Sequence, residues 1–352
     1  MKKLLVVLLT CFSATDIFAC TTFCLNKNGQ VVFGRNYDWI TGAGIVCSNQ
    51  RGLFKTSLRS GDAATASWIS KYGSISFNQY GKEFPTGGMN EKGLVVELMW
   101  LDETRYPAAD TRPVLGVLQW IQYQLDNAAS VADVIASDAL IRVNDPATPQ
   151  HYLVADATGQ VAAIEYLAGK MVVHTGKELP YAVLANDSYA YALQTTKPLL
   201  EKKVPVYTGN NSLDRFAKAC GMVKQFNETN INMPVTDFAF SILDKVAQPG
   251  YTKWSIVYDI SNKKVHFKTA GFSSIKNFTF DAFDFACNKP PRIFNMNQEI
   301  TGDINTRFIP ADKKIQQQVL RQAIKEGISL VNISKKDEEA LLGYENGISC
   351  KK

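Results

Sequence analysis

Apolar positions in the first part of the chain recur with the period of strands before any helical spacing appears. Residues 20–25 and 30–35 predict two short strands joined across Asn28-Gly29, a dipeptide suited to a tight hairpin turn. Residues 40–62, rich in Gly and Ser, predict a loop. SWISKYGSISF (67–77) and LVVELMWL (94–101) predict strands flanking the turn-rich GGMNEKG (87–93). The second run is almost continuously apolar, as in a strand buried on both faces. Helical spacing begins at Pro113, with Val114, Val117, Leu118, Ile121 and Leu125 on one stripe to about residue 127. Ser130 is suited to cap a second helix.

Strands return at 151–157, 161–167, 170–174 and 179–187. Helices are expected at 213–226 and 235–247, then strands at 253–259 and 263–269 around Ser261-Asn262. Helices grouped in blocks between groups of strands predict an α+β chain, with antiparallel sheets covered by helix layers. Residues 310–352 stand apart, with a helical IQQQVLRQAIKEG (315–327) and a Lys-rich end.

The amino end changes this picture. Residues 1–19 read as an export signal: Lys2 and Lys3, an apolar run from Leu4 to Leu9 continuing through Phe12, and Ala19 before Cys20. That run is too short to span a bilayer. The division expected is therefore a signal (1–19), a main domain (20–309) and a carboxy-terminal extension (310–352). The formal charge of +5 is mild and its Lys residues are scattered, which argues against a nucleic-acid surface. A composition 46% hydrophobic and 20% charged is that of a globular chain.

Once a signal is removed, Cys20 carries both a thiol and an α-amino group. Their ordinary pKa values, about 8.5 and about 7.7–8.0, let the two share a proton near neutrality. That combines a nucleophile and its base in one residue. A buried or disulfide-bonded cysteine and a lipid-anchored one are the other readings, and the bulky Phe18 argues against the anchor. Arg35 near the thiol would favour the thiolate, and Asp38 could accept from the α-ammonium. Cys24, Cys47, Cys220, Cys287 and Cys350 match no zinc spacing, and their odd number leaves at least one unpaired within the chain. His151, His174 and His266 lie in strand-like runs with no metal spacing and are read as structural. No metal or cofactor is expected.

Four strings, CTTFC…FGRNYDW, GGMNEKGL (87–94), LAND (184–187) and SLDRFAKA (212–219), together resemble the choloylglycine hydrolase family. Bile-salt hydrolases and penicillin V acylases belong to it, within the amino-terminal nucleophile hydrolases. The resemblance runs from Cys20 to Phe308. It implies a four-layer αββα sandwich and an exported, periplasmic or secreted, cysteine amidase. That enzyme would cleave linear non-peptide C–N amides through an acyl-enzyme on Cys20. It further implies a small-molecule amide as partner and a homo-oligomer of the family's tetrameric kind; from Phe18, no membrane anchor is expected. Arg35 and Asp38 would then orient thiol and amine, Asn186 would serve the oxyanion hole, and Arg215 would complete the polar cage. Where the family often has Thr-Asn-Xaa-Pro, this chain has Ala185-Asn186-Asp187-Ser188. Trp39 and Trp100 resemble a branch found mainly in Gram-negative bacteria that includes aromatic-acyl amidases, and would bind the acyl group. Conjugated bile salts, phenoxyacetyl penicillin and N-acyl homoserine lactones fit such a site; a secreted binding protein with decayed catalysis is the contrasting class.

Overall fold

Thr21–Lys27 and Gln30–Asp38 form the expected hairpin, with Thr22 opposite Arg35 and Phe23 opposite Gly34. Both turn residues take positive φ, Asn28 at 54° and Gly29 at 77°, which matches the turn to the twist of the strands. The structure, a computed structural model, describes residues 20–58, 64–201, 208–327 and 333–351. The segment read as an export signal lies outside them.

Among the described residues the hairpin sits in a seven-stranded sheet. Its order is Val183–Leu184, Thr21–Lys27, Gln30–Asp38, Thr252–Asp259, Lys264–Thr269, Phe272–Thr279 and Gly302–Asp303. A nine-stranded sheet runs Lys170–Thr175, Val161–Leu167, Gln150–Ala155, Val95–Trp100, Pro85–Asn90, Ser74–Asn78, Ile45–Asn49, Arg292–Asn295 and Ile309–Pro310. The two stack face to face: Phe77 of the second meets Tyr258 and Phe267 of the first at 6.0 and 5.7 Å, edge-on. Alternation assigns each face. On Gln30–Asp38, Phe33 and Arg35 point between the sheets, while the Asn36 amide donates outward to the Leu243 carbonyl at 2.7 Å.

Helices Asn211–Glu228 and Val235–Lys245 cover the outer face of the seven-stranded sheet. Helix Val117–Asn127 covers the other, packing Trp120, Ile121 and Leu125 on Leu94, Val96 and Leu98. Each of those side chains contributes about 1.5–3 kcal/mol by leaving water. The result is the αββα sandwich. Among the described residues no helix is long and apolar enough to cross a membrane.

Several local expectations change. The stretch read as a loop at 40–62 contains strands Ile45–Asn49 and Leu53–Thr56. Its small and polar residues show no strand period, and pairing with Ser74–Asn78 and Arg292–Asn295 supplies the order instead. GGMNEKG is half strand, Pro85–Asn90, with the turn confined to 91–93. The 67–77 run breaks where Lys71 and Tyr72 donate their N–H groups to the Asp126 carbonyl. The first helix starts at Val117, because Val114–Leu115 pairs with Arg142–Val143. Of 179–187 only Val183–Leu184 joins a sheet. Helix Tyr189–Glu201 and strand Phe272–Thr279 were not anticipated. The Ser130 cap is present, with Asp133 returning the bond in a capping box.

The carboxy-terminal helix Lys313–Gly327 lays Val319, Leu320 and Ala323 on Ala43, Ile45, Cys47 and Ile293. Ser349–Cys350 then pairs with Leu53–Phe54, and a Cys287–Cys350 disulfide closes the chain's end. Cys20, Cys24, Cys47 and Cys220 are free and buried.

Between the sheets, Arg35 forms a fully buried ion pair with Glu97. Gly87 lies directly across the ladder from Glu97, and a Cβ there would overlap the Glu97 carboxylate. Gly87→Ala is therefore expected to cost roughly 1–3 kcal/mol by overpacking, read as a lower denaturation midpoint at unchanged m-value.

Candidate active site

Cys20 stands immediately before the first strand, and the hairpin returns the chain so that Asp38 lies against it. The Asp38 N–H donates to Cys20 Sγ at 3.4 Å, and the thiol reaches the Asp38 carbonyl at 3.8 Å. Burial pushes the thiol up, since it disfavours the thiolate; Arg35 pulls the other way. Burial also pushes the Asp38 carboxyl up, to about 6, against Arg215, the Thr252 hydroxyl and Arg35. Among the described residues no donor is in close hydrogen-bond geometry with either Asp38 oxygen, the Thr252 hydroxyl acting only weakly, although both oxygens are buried.

Arg35 acts on the thiol through its field. Its guanidinium is held by Glu97, by the Thr86 carbonyl at 2.9 Å and by the Leu98 carbonyl at 3.3 Å. Glu97 also accepts from the Tyr258 hydroxyl at 2.5 Å. Burial pushes the Glu97 carboxyl up to about 7 against these two partners. Sequence reasoning missed Glu97, whose one signal is a lone carboxylate inside LVVELMWL.

Arg215 works by contact. Nη1 donates to the Cys20 carbonyl at 2.7 Å and to Thr21 Oγ1 at 2.5 Å, Nε to Asn211 Oδ1 at 2.7 Å, and Nη2 to Asn186 Oδ1 at 3.1 Å. Guanidinium groups only donate, so the Asn186 atom facing Arg215 must be its oxygen. The Asn186 Nδ2 is thereby turned toward the Trp100 carbonyl, at 2.8 Å, with a second N–H still to give. Asn210 caps this helix, accepting from Ser212 and Leu213, and the Ser212 hydroxyl accepts from the Asn186 N–H at 2.9 Å. Cap, helix start and oxyanion candidate are thus one unit.

His151 is less passive than its sequence context indicated. Nδ1 lies 3.1 Å from Glu165 Oε1 and Nε2 lies 2.7 Å from the carbonyl of Ala185, the residue before Asn186. The ring is thus held between two oxygens, which fixes its plane behind Asn186. Burial raises the Glu165 carboxyl, but hydrogen bonds from His151, His174 and the Tyr189 N–H override it and hold it at about 2. His266 lies on the Lys264–Thr269 strand, away from this array.

Cys20 opens into a cavity of about 540 Å³ shared with Tyr37, Asp38, Trp39, Tyr80, Leu98, Trp100 and Gln150. Trp39 and Trp100 lie 6.4 Å apart at 34°. The Trp39 indole donates to the Tyr80 hydroxyl at 2.8 Å and the Trp100 indole to Asp102 at 2.6 Å, which sets both ring planes. Among the described residues no group of three or more His, Cys, Asp or Glu side chains is placed to hold a metal. The site thus unites a thiol, fixed cations, a carboxylate and an oriented amide beside an apolar chamber.

A family model for linear amide C–N hydrolases, choloylglycine hydrolase family, matches residues 20–225. The chain belongs to that family, and is a hydrolase of linear amide C–N bonds. It is 30% identical over 312 residues to a penicillin V acylase from Pectobacterium atrosepticum, covering 75% of this chain and 81% of that one. A solved penicillin V acylase from Agrobacterium tumefaciens superposes with a TM-score of 0.72 at 25% identity, over 83% of this chain and 98% of that one. A conjugated bile acid hydrolase from Clostridium perfringens shares the fold, with a TM-score of 0.64 at 17% identity over 80% and 98% of the two chains.

The raised value at Asp38 carries a pH signature. Its folded-state value of about 6 lies above that of an unfolded aspartate, so protonated Asp38 is the favoured buried form. The stabilisation is whole below about pH 4 and is lost as pH rises through about 6, amounting to about 3 kcal/mol in a chain whose Cys20 nitrogen is still an amide. Asp38→Asn is expected to remove that loss, measured as the wild-type-minus-variant difference in urea midpoint between pH 4 and pH 7.

Proposed function

We propose that removal of residues 1–19 makes Cys20 the amino terminus, and that its thiol attacks the carbonyl carbon of a linear N-acyl amide. The observation that carries this reading is the placement of Cys20 Sγ at an apolar cavity while Arg215 holds both the Cys20 carbonyl and the Asn186 amide. The thiol proton passes to the α-amine as Sγ bonds to the carbonyl carbon. The new oxyanion takes the free N–H of Asn186. Asp38 accepts from the resulting α-ammonium, supplying the pairing it lacks while that nitrogen is an amide, and Arg35 stabilises the thiolate. The ammonium then protonates the leaving nitrogen as the C–N bond breaks, leaving a thioester. A water molecule, deprotonated by the α-amine, adds to the thioester and releases the carboxylic acid and the thiol.

The acyl group occupies the apolar chamber and a small polar amine faces solvent. Trp39 and Trp100 favour a planar acyl group, with stacking worth about 0.5–1.5 kcal/mol beyond area burial. The relatives named penicillin V acylase support an aromatic acyl group, and lipid-like acyl chains of the homoserine lactone type suit the same walls. Export is supported by the pattern of residues 1–19 and by the Cys287–Cys350 disulfide, a bond that persists in oxidising compartments.

Mass spectrometry of the processed protein is expected to show a chain beginning at Cys20; another start or a lipid on the thiol would remove this mechanism. Cys20→Ser should abolish most turnover with the fold intact. Asn186→Ala should lower kcat by roughly 10²–10³, and near-full kcat in that variant would dismiss the oxyanion role. Penicillin V or aromatic-acyl amides should be cleaved at least as well as glycine-conjugated bile salts, with the aromatic preference reduced in Trp100→Ala. Bile-salt turnover that survives Trp100→Ala, with no aromatic-acyl turnover, would reverse that substrate order.

A further inference from the structure

Residues 313–351 lie beyond the stretch the family model matches, yet they reach the site. Leu341, on helix Lys335–Gly343, and Ile333, just before it, line the same cavity as Cys20. We propose that this helix is the wall that sets the size of the acyl group, with Leu341 the residue that determines specificity and Ile333 beside it. The proposal rests on the amidase reading above.

The helix is built into the fold and cannot drift freely from the pocket. Tyr344, which follows it, donates to the Thr56 carbonyl at 2.6 Å and meets the Phe84 ring edge-on at 5.1 Å. Glu345 lies 3.2 Å from the buried Lys82 ammonium, which also holds Glu83 at 2.8 Å. The chain end is pinned by the Lys351 N–H on the Gly52 carbonyl at 2.9 Å and by the disulfide to Cys287. A wall fixed at this many points resists displacement by a ligand, so its side chains define a length.

Its position favours the acyl end of a substrate. Leu341 lies against Gly81, whose neighbour Tyr80 accepts the Trp39 indole hydrogen bond. The helix therefore adjoins the aromatic wall beside Cys20. Three of the cavity's polar side chains, Asp145, Thr148 and Gln150, come from a different stretch of chain. Leu341 and Ile333 join Val117 and Leu118 as aliphatic surface with no polar group to offer. Such a surface recognises methylene and aryl groups by area alone, at about fourfold in affinity per buried methylene.

The test uses the full chain, with N-acyl amides of one amine from butanoyl to dodecanoyl, and calorimetric binding of the matching free carboxylates. Leu341→Ala should move the preferred chain length up by about two methylenes, changing the long-to-short ratio of kcat/KM about tenfold or more. Leu341→Trp should move it down. Leu342→Ala is the control: Leu342 packs on the Lys313–Gly327 cluster as Leu341 and Ile333 do, but does not line the cavity, so it should lower the melting temperature and scale all substrates alike. Ile333→Ala supplies the same readout should Leu341→Ala fail to fold. Unchanged chain-length profiles in turnover and in binding, or a Leu342→Ala profile shifted like that of Leu341→Ala, would overturn the proposal. Carboxylate binding that shifts with Leu341 in a protein without amidase turnover would remove the amidase reading and leave the wall standing.

Discussion

Arg35 carries its charge into the space between the two sheets, and Glu97 reaches across from the other sheet to meet it. Burying both ions costs several kcal/mol each, and a pair of this kind adds little net stability over apolar packing. Its consequence is positional. Removing either partner would strand a charge in the core at about 3–5 kcal/mol, so the sheets are held to the one offset in which the two groups coincide. Leu98, on the strand of Glu97, and Thr86 and Tyr258, from two further strands, complete the coordination. Gly87 leaves the space that the Glu97 carboxylate fills. That offset brings the strand ending at Trp100 beside the hairpin that carries Cys20 and Trp39.

The second arginine has a different task. Arg215 converts the directionality of one guanidinium into the orientation of the Cys20 carbonyl and of the Asn186 amide. Ser212 and Asn210 tie that orientation to the start of the same helix. The Ala185–Asn186 peptide is further held from behind by His151, whose other nitrogen rests on Glu165. Arg35 tunes charge at the thiol, whereas Arg215 sets geometry. Asp38 stands between them, near both and hydrogen-bonded to neither.

The chamber is walled from two parts of the chain. The family match ends at residue 225 and contains the thiol, both arginines, Asp38 and Asn186. The seven-stranded sheet nonetheless needs Thr252–Asp259 and its neighbours to close behind the hairpin. The carboxy-terminal stretch adds a further side of the chamber, Ile333 and Leu341, anchored through charges and a disulfide that Cys20, Arg35, Asp38, Asn186 and Arg215 do not touch.

What the amino-acid sequence by itself determined is local. Asn28-Gly29 dictated the hairpin, Ser130 a helix cap, and the strings around Cys20, Arg35, Asp38, Asn186 and Arg215 marked the family, because turn geometry and motif spacing are written within a few residues. The apolar period of LVVELMWL foretold a doubly buried strand, and Trp39 and Trp100 were legible as aromatic walls. Ile45–Asn49 became a strand only because two distant strands pair with it. Glu97 looks like a flaw in an apolar run until Arg35, 62 residues away, faces it. His151 looks like a strand residue until Ala185 accepts from it. The extension's place at the pocket depends on contacts such as Tyr344 with Thr56, 288 residues apart. Periodicity states which face of an element is buried. Which distant element it is buried against follows from register and layer order, and these the tertiary structure decided.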